Sequence, residues 1–238
     1  MIRVQQLEKS FGKNEVLKKL NLHIPEGGIY AVLGPNGSGK TTLIKCILGM
    51  VIPDDGQIEV DGISVDQSWK YRKSITYMPQ ISQFPGNLRL RELLSMIKDL
   101  RGASSSEQEL IDILGLKPFL NKKMANLSGG TRQKVNIVLA LMFDCPILIL
   151  DEPTTGLDPG SMIKLKNLLK QERDKGKTIL VTSHIMSFVE EVADEIIYLL
   201  EGVIYFKGTI EDLKIRTDQS NVEHAIASIT QSQSTIHV

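Results

Sequence analysis

Charge of one sign is not in excess in this chain: 28 basic and 28 acidic residues cancel to a formal net charge of zero. A nucleic-acid-binding surface draws on a basic surplus to displace counterions from phosphate backbones, so no nucleic-acid partner is expected. Cysteine is scarce. Cys46 and Cys145 are far apart, lack metal-ligand spacing and sit in apolar runs, so both read as small core hydrophobes. Without a disulfide framework the chain fits a reducing compartment. Long apolar runs are missing as well: none approaches the ~18 residues that span a bilayer. The start, MIRVQQLEKS, lacks the basic-then-apolar plan of a secretory leader. If the protein works at a membrane, another chain must supply the span. There is no internal repeat. What is present is a globular composition, 42% apolar and 24% charged, enough for one domain with a sub-lobe.

The patterning sets out an α/β chain. Residues 2–33 read as antiparallel strands with turns, and GIYAVLG is a short apolar run feeding a glycine-rich loop. GQIEVDGISV reads as a hairpin on the Asp61-Gly62 turn, and KSITYMPQ as a strand ended by Pro79. The middle changes character. Leu90, Leu93, Leu94, Ile97 and Leu100 recur at helical spacing, and two more apolar helices follow. Residues 84–144 are therefore expected as a helical subdomain inserted in the sheet domain. Beyond it the order is strand, helix, strand, helix. PILIL and TILVTS are continuous apolar runs, as in parallel strands buried on both faces. The expected architecture is a mostly parallel sheet over residues 1–216, with an N-terminal antiparallel β subdomain. Residues 217–238, rich in Ser, Thr and Gln, read as a loosely held tail with at most a short helix over VEHAIASI.

Gly34-Pro35-Asn36-Gly37-Ser38-Gly39-Lys40-Thr41 fits G-x-x-x-x-G-K-[ST] at every fixed position, with Thr42 next. Glycines let successive N–H groups turn inward to make an anion nest, and the following helix adds its positive dipole end. Lys40 would reach the outer phosphates and the Thr41 hydroxyl would hold Mg2+. Such a loop serves many nucleotide-using reactions, so the rest of the chain must decide.

Asp151 and Glu152 follow PILIL, at the carboxyl end of a strand, where ligands gather in parallel sheets. Asp151 would serve Mg2+, and Glu152 would take the proton of an attacking water. Gln80 ends another strand; it ligates Mg2+, orients water, or simply closes the strand. His184 ends TILVTS and can hold a water in line with a γ-phosphate, or be structural. A second serine-glycine turn, LSGGTRQK, also opens onto a helix, so the chain carries two phosphate cradles.

Together GPNGSGKTT, Gln80, LSGGT, ILILDEP, TTGLD and His184 resemble, in order and spacing, the ATP-binding subunit of ABC transporters over residues 1 to about 215. LSGG is the specific part. The resemblance implies a P-loop NTPase fold and ATP hydrolysis with Mg2+. It matches Phe11 to the aromatic that stacks on adenine, and Lys40, Thr41, Gln80, Asp151, Glu152 and His184 to the binding and catalytic positions. Gly156-Leu157-Asp158 matches a loop that passes between subunits. It further implies a head-to-tail dimer in which Ser128, Gly129 and Gly130 of one chain close over the γ-phosphate held by the other. An integral-membrane permease would place the pair at the cytoplasmic face of a membrane, its helix docking near Gln80 and ISQFPGNLRL. Thr131 departs from the family, whose signature usually ends in glutamine. The alternative is a soluble ATPase of the same type not involved in transport. A GTPase is disfavoured, since NKKM at 121–124 lacks the aspartate of the base-reading motif.

Overall fold

The computed structural model describes residues 1–81 and 83–234, the side chains of 230–234 excepted. Two sheets form it. β1 (Ile2–Phe11), β2 (Asn14–Ile24), β4 (Asp55–Val60) and β5 (Ile63–Ser64) make an antiparallel sheet in the order β2-β1-β4-β5. The second sheet holds β3 (Gly28–Leu33), β6 (Ile75–Met78), β7 (Ile147–Asp151), β8 (Thr178–Thr182), β9 (Glu195–Leu200) and β10 (Val203–Gly208), in the order β10-β9-β3-β8-β7-β6. Its neighbours run parallel except in the β9–β10 hairpin over Glu201-Gly202.

The continuous apolar strands are explained by two cores, one on each face of this sheet. Ile29, Ala31 and Leu33 of β3 face one; Tyr30 and Val32 face the other. Along β7, Leu148 and Leu150 alternate with Ile147 and Ile149 in the same way. A strand alternates its side chains, so one covered on both sides needs apolar residues throughout. The first core is closed by the helical segment between β6 and β7, the second by the antiparallel sheet and α1 (Lys40–Ile47). Cys46 and Cys145 are buried thiols, one in each core.

The helical segment contains α2 (Leu90–Arg101), α3 (Glu107–Ile113) and α4 (Gly129–Leu141). Leu90, Leu93 and Leu94 of α2 are buried as their spacing predicts, but Leu100 is 78% exposed. With 3.6 residues per turn it is Arg101, not Leu100, that returns to the inner face, and its guanidinium lies over the Phe143 ring at 4.8 Å. After β7 come α5 (Pro159–Asp174), α6 (Met186–Val192) and α7 (Ile210–Thr217), the last started by a Thr209–Asp212 capping box.

The stretch read from sequence as a loosely held tail does carry a helix over VEHAIASI, but that helix runs further and is packed on the core. α8 (Val222–Ser234) packs on α6 and α7, with Val222 and Ala225 fully buried and Ile226 and Ile229 against the same core. Its apolar residues are spaced three and four apart, enough for a helical stripe despite the polar composition between them. Residues 235–238 of that stretch lie outside the described residues.

Candidate active site

Strands β3, β8, β7 and β6 lie side by side and parallel, so the loops at their carboxyl ends converge. Those loops carry the glycine-rich turn, His184, Asp151 with Glu152, and Gln80. The structure brings Asn36 through Thr42, Gln80, Asp151 and Glu152 to one cleft of about 300 Å3. Phe11 and Asn14, paired across the β1–β2 turn, form its outer wall with Val16. Phe11 is 53% exposed at the edge of the cleft rather than in the core, with the Lys9 ammonium 5.4 Å from its ring centre. A larger hollow, about 530 Å3, lies by β4 and is bordered by Asp54, Asp55 and Asp66, whose carboxylates would repel a phosphate.

The loop between β3 and α1 is shaped for close approach. Gly34 and Gly39 have φ of 150° and 106°. A Cβ at Gly34 would stand 2.0 Å from the Leu199 carbonyl oxygen, so only glycine fits there. α1 starts at Lys40, and its first N–H groups have no partner within the helix. Lys40 Nζ donates to the carbonyls of Gly34 and Pro35 at 2.7 and 2.9 Å. Burial holds the Lys40 ammonium below its ordinary value, against the opposing pull of Glu152 and Asp151. Ser38 Oγ is buried at this loop with no hydrogen-bond partner. Unbonded N–H groups, a desolvated ammonium and an orphaned hydroxyl around one hollow fit a polyphosphate.

Asp151 and Glu152 are both buried. Glu152 has φ 51°, a left-handed conformation that costs a non-glycine residue about 1–3 kcal/mol and persists only where its surroundings impose it. Thr182, fully buried on β8, imposes it. Its Oγ1 accepts from Glu152 N–H at 2.9 Å and donates to Asp151 Oδ1 at 2.6 Å. One hydroxyl thus sets both acids. Glu152 Oε2 is 2.8 Å from His184 Nδ1, while the His184 ring stays largely in solvent. His184 therefore meets the cleft through Glu152 and does not line it.

Ser128, Gly129, Gly130 and Asp158 do not line the cleft. Ser128 caps α4, its Oγ accepting from Thr131 N–H at 3.2 Å, and both Ser128 and Gly129 are exposed. α4 is tied to the carboxyl ends of β7 and β6. Gln133 Nε2 donates to the carbonyls of Glu152 and Pro153 at 3.3 and 3.0 Å, and Asn136 Nδ2 donates to Pro79 O at 3.1 Å. A Cβ at Gly130 would lie 2.7 Å from Gly156 O, so the serine-glycine turn and the 156–158 loop are in contact. Lys134 Nζ bridges to Asp158 Oδ2 at 2.9 Å, and Asp158 caps α5 by accepting from Ser161 N–H. Bonds to Ser161 and Lys134 hold the Asp158 carboxyl far below the usual carboxylate range.

For a divalent cation the hard oxygens on offer are the Thr41 hydroxyl, the Gln80 amide and the Asp151 carboxylate, all on the cleft. Among the described residues no cluster of three or more His, Cys, Asp or Glu could hold a metal by itself. One carboxylate with neutral oxygens suits Mg2+, which keeps waters and shares substrate phosphates. Burial first, and the Asp151 charge second, push the nearby Tyr77 phenol up to about 12.

Sequence reading passed over Thr182, Gln133 and Asn136. A threonine in a buried strand reads as an ordinary strand former. The two amides inside an otherwise apolar helix were the available signal, since a buried polar side chain requires a partner.

Comparison with known proteins agrees with this geometry. The family model described as ABC transporter matches residues 17–155. The L-cystine import ATP-binding protein TcyC of Bacillus subtilis is 35% identical, covering 90% of this chain and 92% of that one. The lantibiotic transport ATP-binding protein SrtF of Streptococcus pyogenes is 34% identical, covering 86% and 89%. A solved ATP-binding subunit of an ABC transporter superposes with a TM-score of 0.89 at 29% identity, over 97% of this chain and 99% of that one. A dimeric ATP-binding cassette in a post-hydrolysis state bound to ADP and Pi gives 0.78 at 28%, over 88% and 98%.

Proposed function

The chain belongs to the ABC transporter family of ATP-binding proteins, and from that membership we propose that it holds Mg-ATP in the Lys40 cleft, hydrolyses it from Glu152, and drives a separate membrane permease as a head-to-tail pair. The observation that carries the chemistry is the buried Glu152 carboxylate, with His184 on one oxygen, at the mouth of a phosphate nest.

Phe11, exposed on the wall of the cleft, stacks on the adenine ring; stacking needs only an aromatic ring face. Backbone N–H groups from Gly39 to Thr42 and the Lys40 ammonium take the β- and γ-phosphates, with the Ser38 hydroxyl as a further donor. Thr41, Gln80 and Asp151 hold Mg2+, which when bound neutralises charge on the outer phosphate oxygens. His184 occupies Glu152 Oε2, leaving Oε1 to accept the proton of a water. That water attacks the γ-phosphorus, the bond to the bridging oxygen breaks, and ADP and phosphate leave.

Ser128, Gly129 and Gly130 stand outside their own cleft, with Ser128 and Gly129 exposed to solvent, as a cradle for a neighbour's γ-phosphate would be. The dimeric, post-hydrolysis relative supports that pairing. ATP then glues two chains, and loss of phosphate releases them. Gln133 and Asn136 tie this cradle to Glu152 and to the segment before Gln80 on the same chain, so the two seams report to one another through α4.

No helix among the described residues is long and apolar enough to cross a membrane, so the span comes from the permease. A groove of about 320 Å3 lies where β6 gives way to the helical segment, lined by Tyr77, Pro79, Ile81, Phe84, Ile97 and Leu139. Ile81 is 76% exposed at its rim, and the groove borders Gln80. A cytoplasmic helix of the permease seated there would feel whether Gln80 is engaged, at the cytoplasmic face of the membrane.

Glu152→Gln tests the base. It keeps shape and hydrogen bonds but cannot take a proton, so ATP binding persists while turnover falls by at least about 10²-fold and an ATP-bound dimer accumulates. Turnover at the wild-type rate would remove Glu152 from the role.

A further inference from the structure

We propose that Thr131 is a positioning residue that aims the Ser128 hydroxyl proton outward, toward the γ-phosphate of the facing chain. This rests on the trans cradle proposed above. Ser128 Oγ accepts from Thr131 N–H at 3.2 Å and lies 2.8 Å from Thr131 Oγ1. A hydroxyl has one proton and two acceptor lone pairs. When the Thr131 hydroxyl donates, Thr131 fills both lone pairs of Ser128, and the serine proton is all that remains to face solvent. In the reverse assignment the serine proton points inward and a lone pair meets the phosphate, which an anion disfavours.

The carbonyl four residues back belongs to Leu127, which stands before the capping serine in extended conformation (φ −88°, ψ 141°) and so lies outside the helical turn whose carbonyls a threonine ordinarily uses; it accepts from Arg132 Nη1 at 2.8 Å instead. The Thr131 hydroxyl is thereby directed to Ser128, and the chain Thr131 to Ser128 to phosphate is polarised along its length. The arrangement also accounts for threonine where the family usually has glutamine: a short β-branched side chain at this position places its oxygen on the capping serine.

The test uses the full chain carrying Glu152→Gln and measures the Mg-ATP-dependent monomer–dimer equilibrium by sedimentation. A serine hydroxyl freed of its partner samples three staggered wells, so Thr131→Val should lose about threefold at each seam and about tenfold in the dimer dissociation constant across two seams. Thr131→Ser, which keeps the oxygen, should stay within about twofold of the parent. In a Ser128→Ala background, Thr131→Val should add nothing, because its effect acts only through the serine. The inference is overturned if Thr131→Val dimerises like its parent, if it weakens the Ser128→Ala dimer as much as the parent, or if Ser128→Ala itself has no effect. Each of those leaves the trans cradle standing. Normal dimerisation of Ser128→Arg would instead fell the trans cradle, and this inference with it.

Discussion

Replacing Thr182 by valine removes one oxygen at constant shape, and the structure says what that oxygen does. Its hydroxyl donates to Asp151 at 2.6 Å and accepts from the Glu152 amide at 2.9 Å, in a position with no solvent exposure. Losing a hydrogen bond to a carboxylate costs about 1.5–3 kcal/mol, and orphaning a buried N–H about 1–3 kcal/mol. Partial relaxation overlaps the two, so about 3–5 kcal/mol of stability should disappear, a large share of the 5–15 kcal/mol typical of a domain. The catalytic effect is separate. Glu152 sits at φ 51°, and without its anchor the peptide is free to relax toward ordinary geometry. Displacing a catalytic group by on the order of 1 Å costs about 10²-fold in rate. Urea unfolding gives the first quantity and ATP turnover at saturating nucleotide the second. Thr182→Ser keeps the oxygen and should recover most of the rate while losing about 1 kcal/mol for the methyl group. A Thr182→Val protein within about 0.5 kcal/mol of wild type and turning over ATP normally would refute the assignment of Thr182 as the anchor of both acids.

Ser128→Arg should leave ATP binding by the single chain intact, since Ser128 does not line the Lys40 cleft, yet abolish ATP-driven dimerisation; scattering in the Glu152→Gln background reads both states. Lys177, buried at the start of β8, bridges Glu172 at 2.5 Å and Asp144 at 2.8 Å. Burial by itself would lower its value, but those two partners win and raise it above 10.5. A raised folded value means its contribution is complete below about 10.5 and is lost as pH climbs through the folded value. Lys177→Met should cost about 2 kcal/mol near neutrality, less than a fully orphaned ion because Glu172 keeps Lys175 at 2.6 Å. The gap in urea midpoint between the two proteins should narrow only in strongly alkaline buffer; a gap that closes near neutral pH would show that the pair contributes nothing.

The sequence by itself determined whatever one contiguous stretch can build. The nest from Gly34 to Thr42 is such a stretch: a turn that admits only glycine at Gly34, then a helix start that supplies free N–H groups. The Thr209–Asp212 capping box, the hairpin turns and the two-faced apolar strands belong with it, because their periods and turn residues act over a few positions. The burial of Leu100 and that of the 222–234 helix, whose first part was legible over VEHAIASI, were misread for the complementary reason. Burial at one edge of a stripe, or of a mostly polar helix, depends on which neighbour is present to cover it.

Only the tertiary structure decided how the pieces of the cleft meet. The order β3-β8-β7-β6 puts Thr182 beside Asp151 and Glu152, although 31 and 30 residues separate them in the chain. Gln133 and Asn136 acquire meaning only because α4 lies across those strand ends, reaching Glu152 and Pro79 from 19 and 57 residues away. Which strand lies beside which is settled by packing two cores at once on one sheet, and short-range patterns carry no record of that choice.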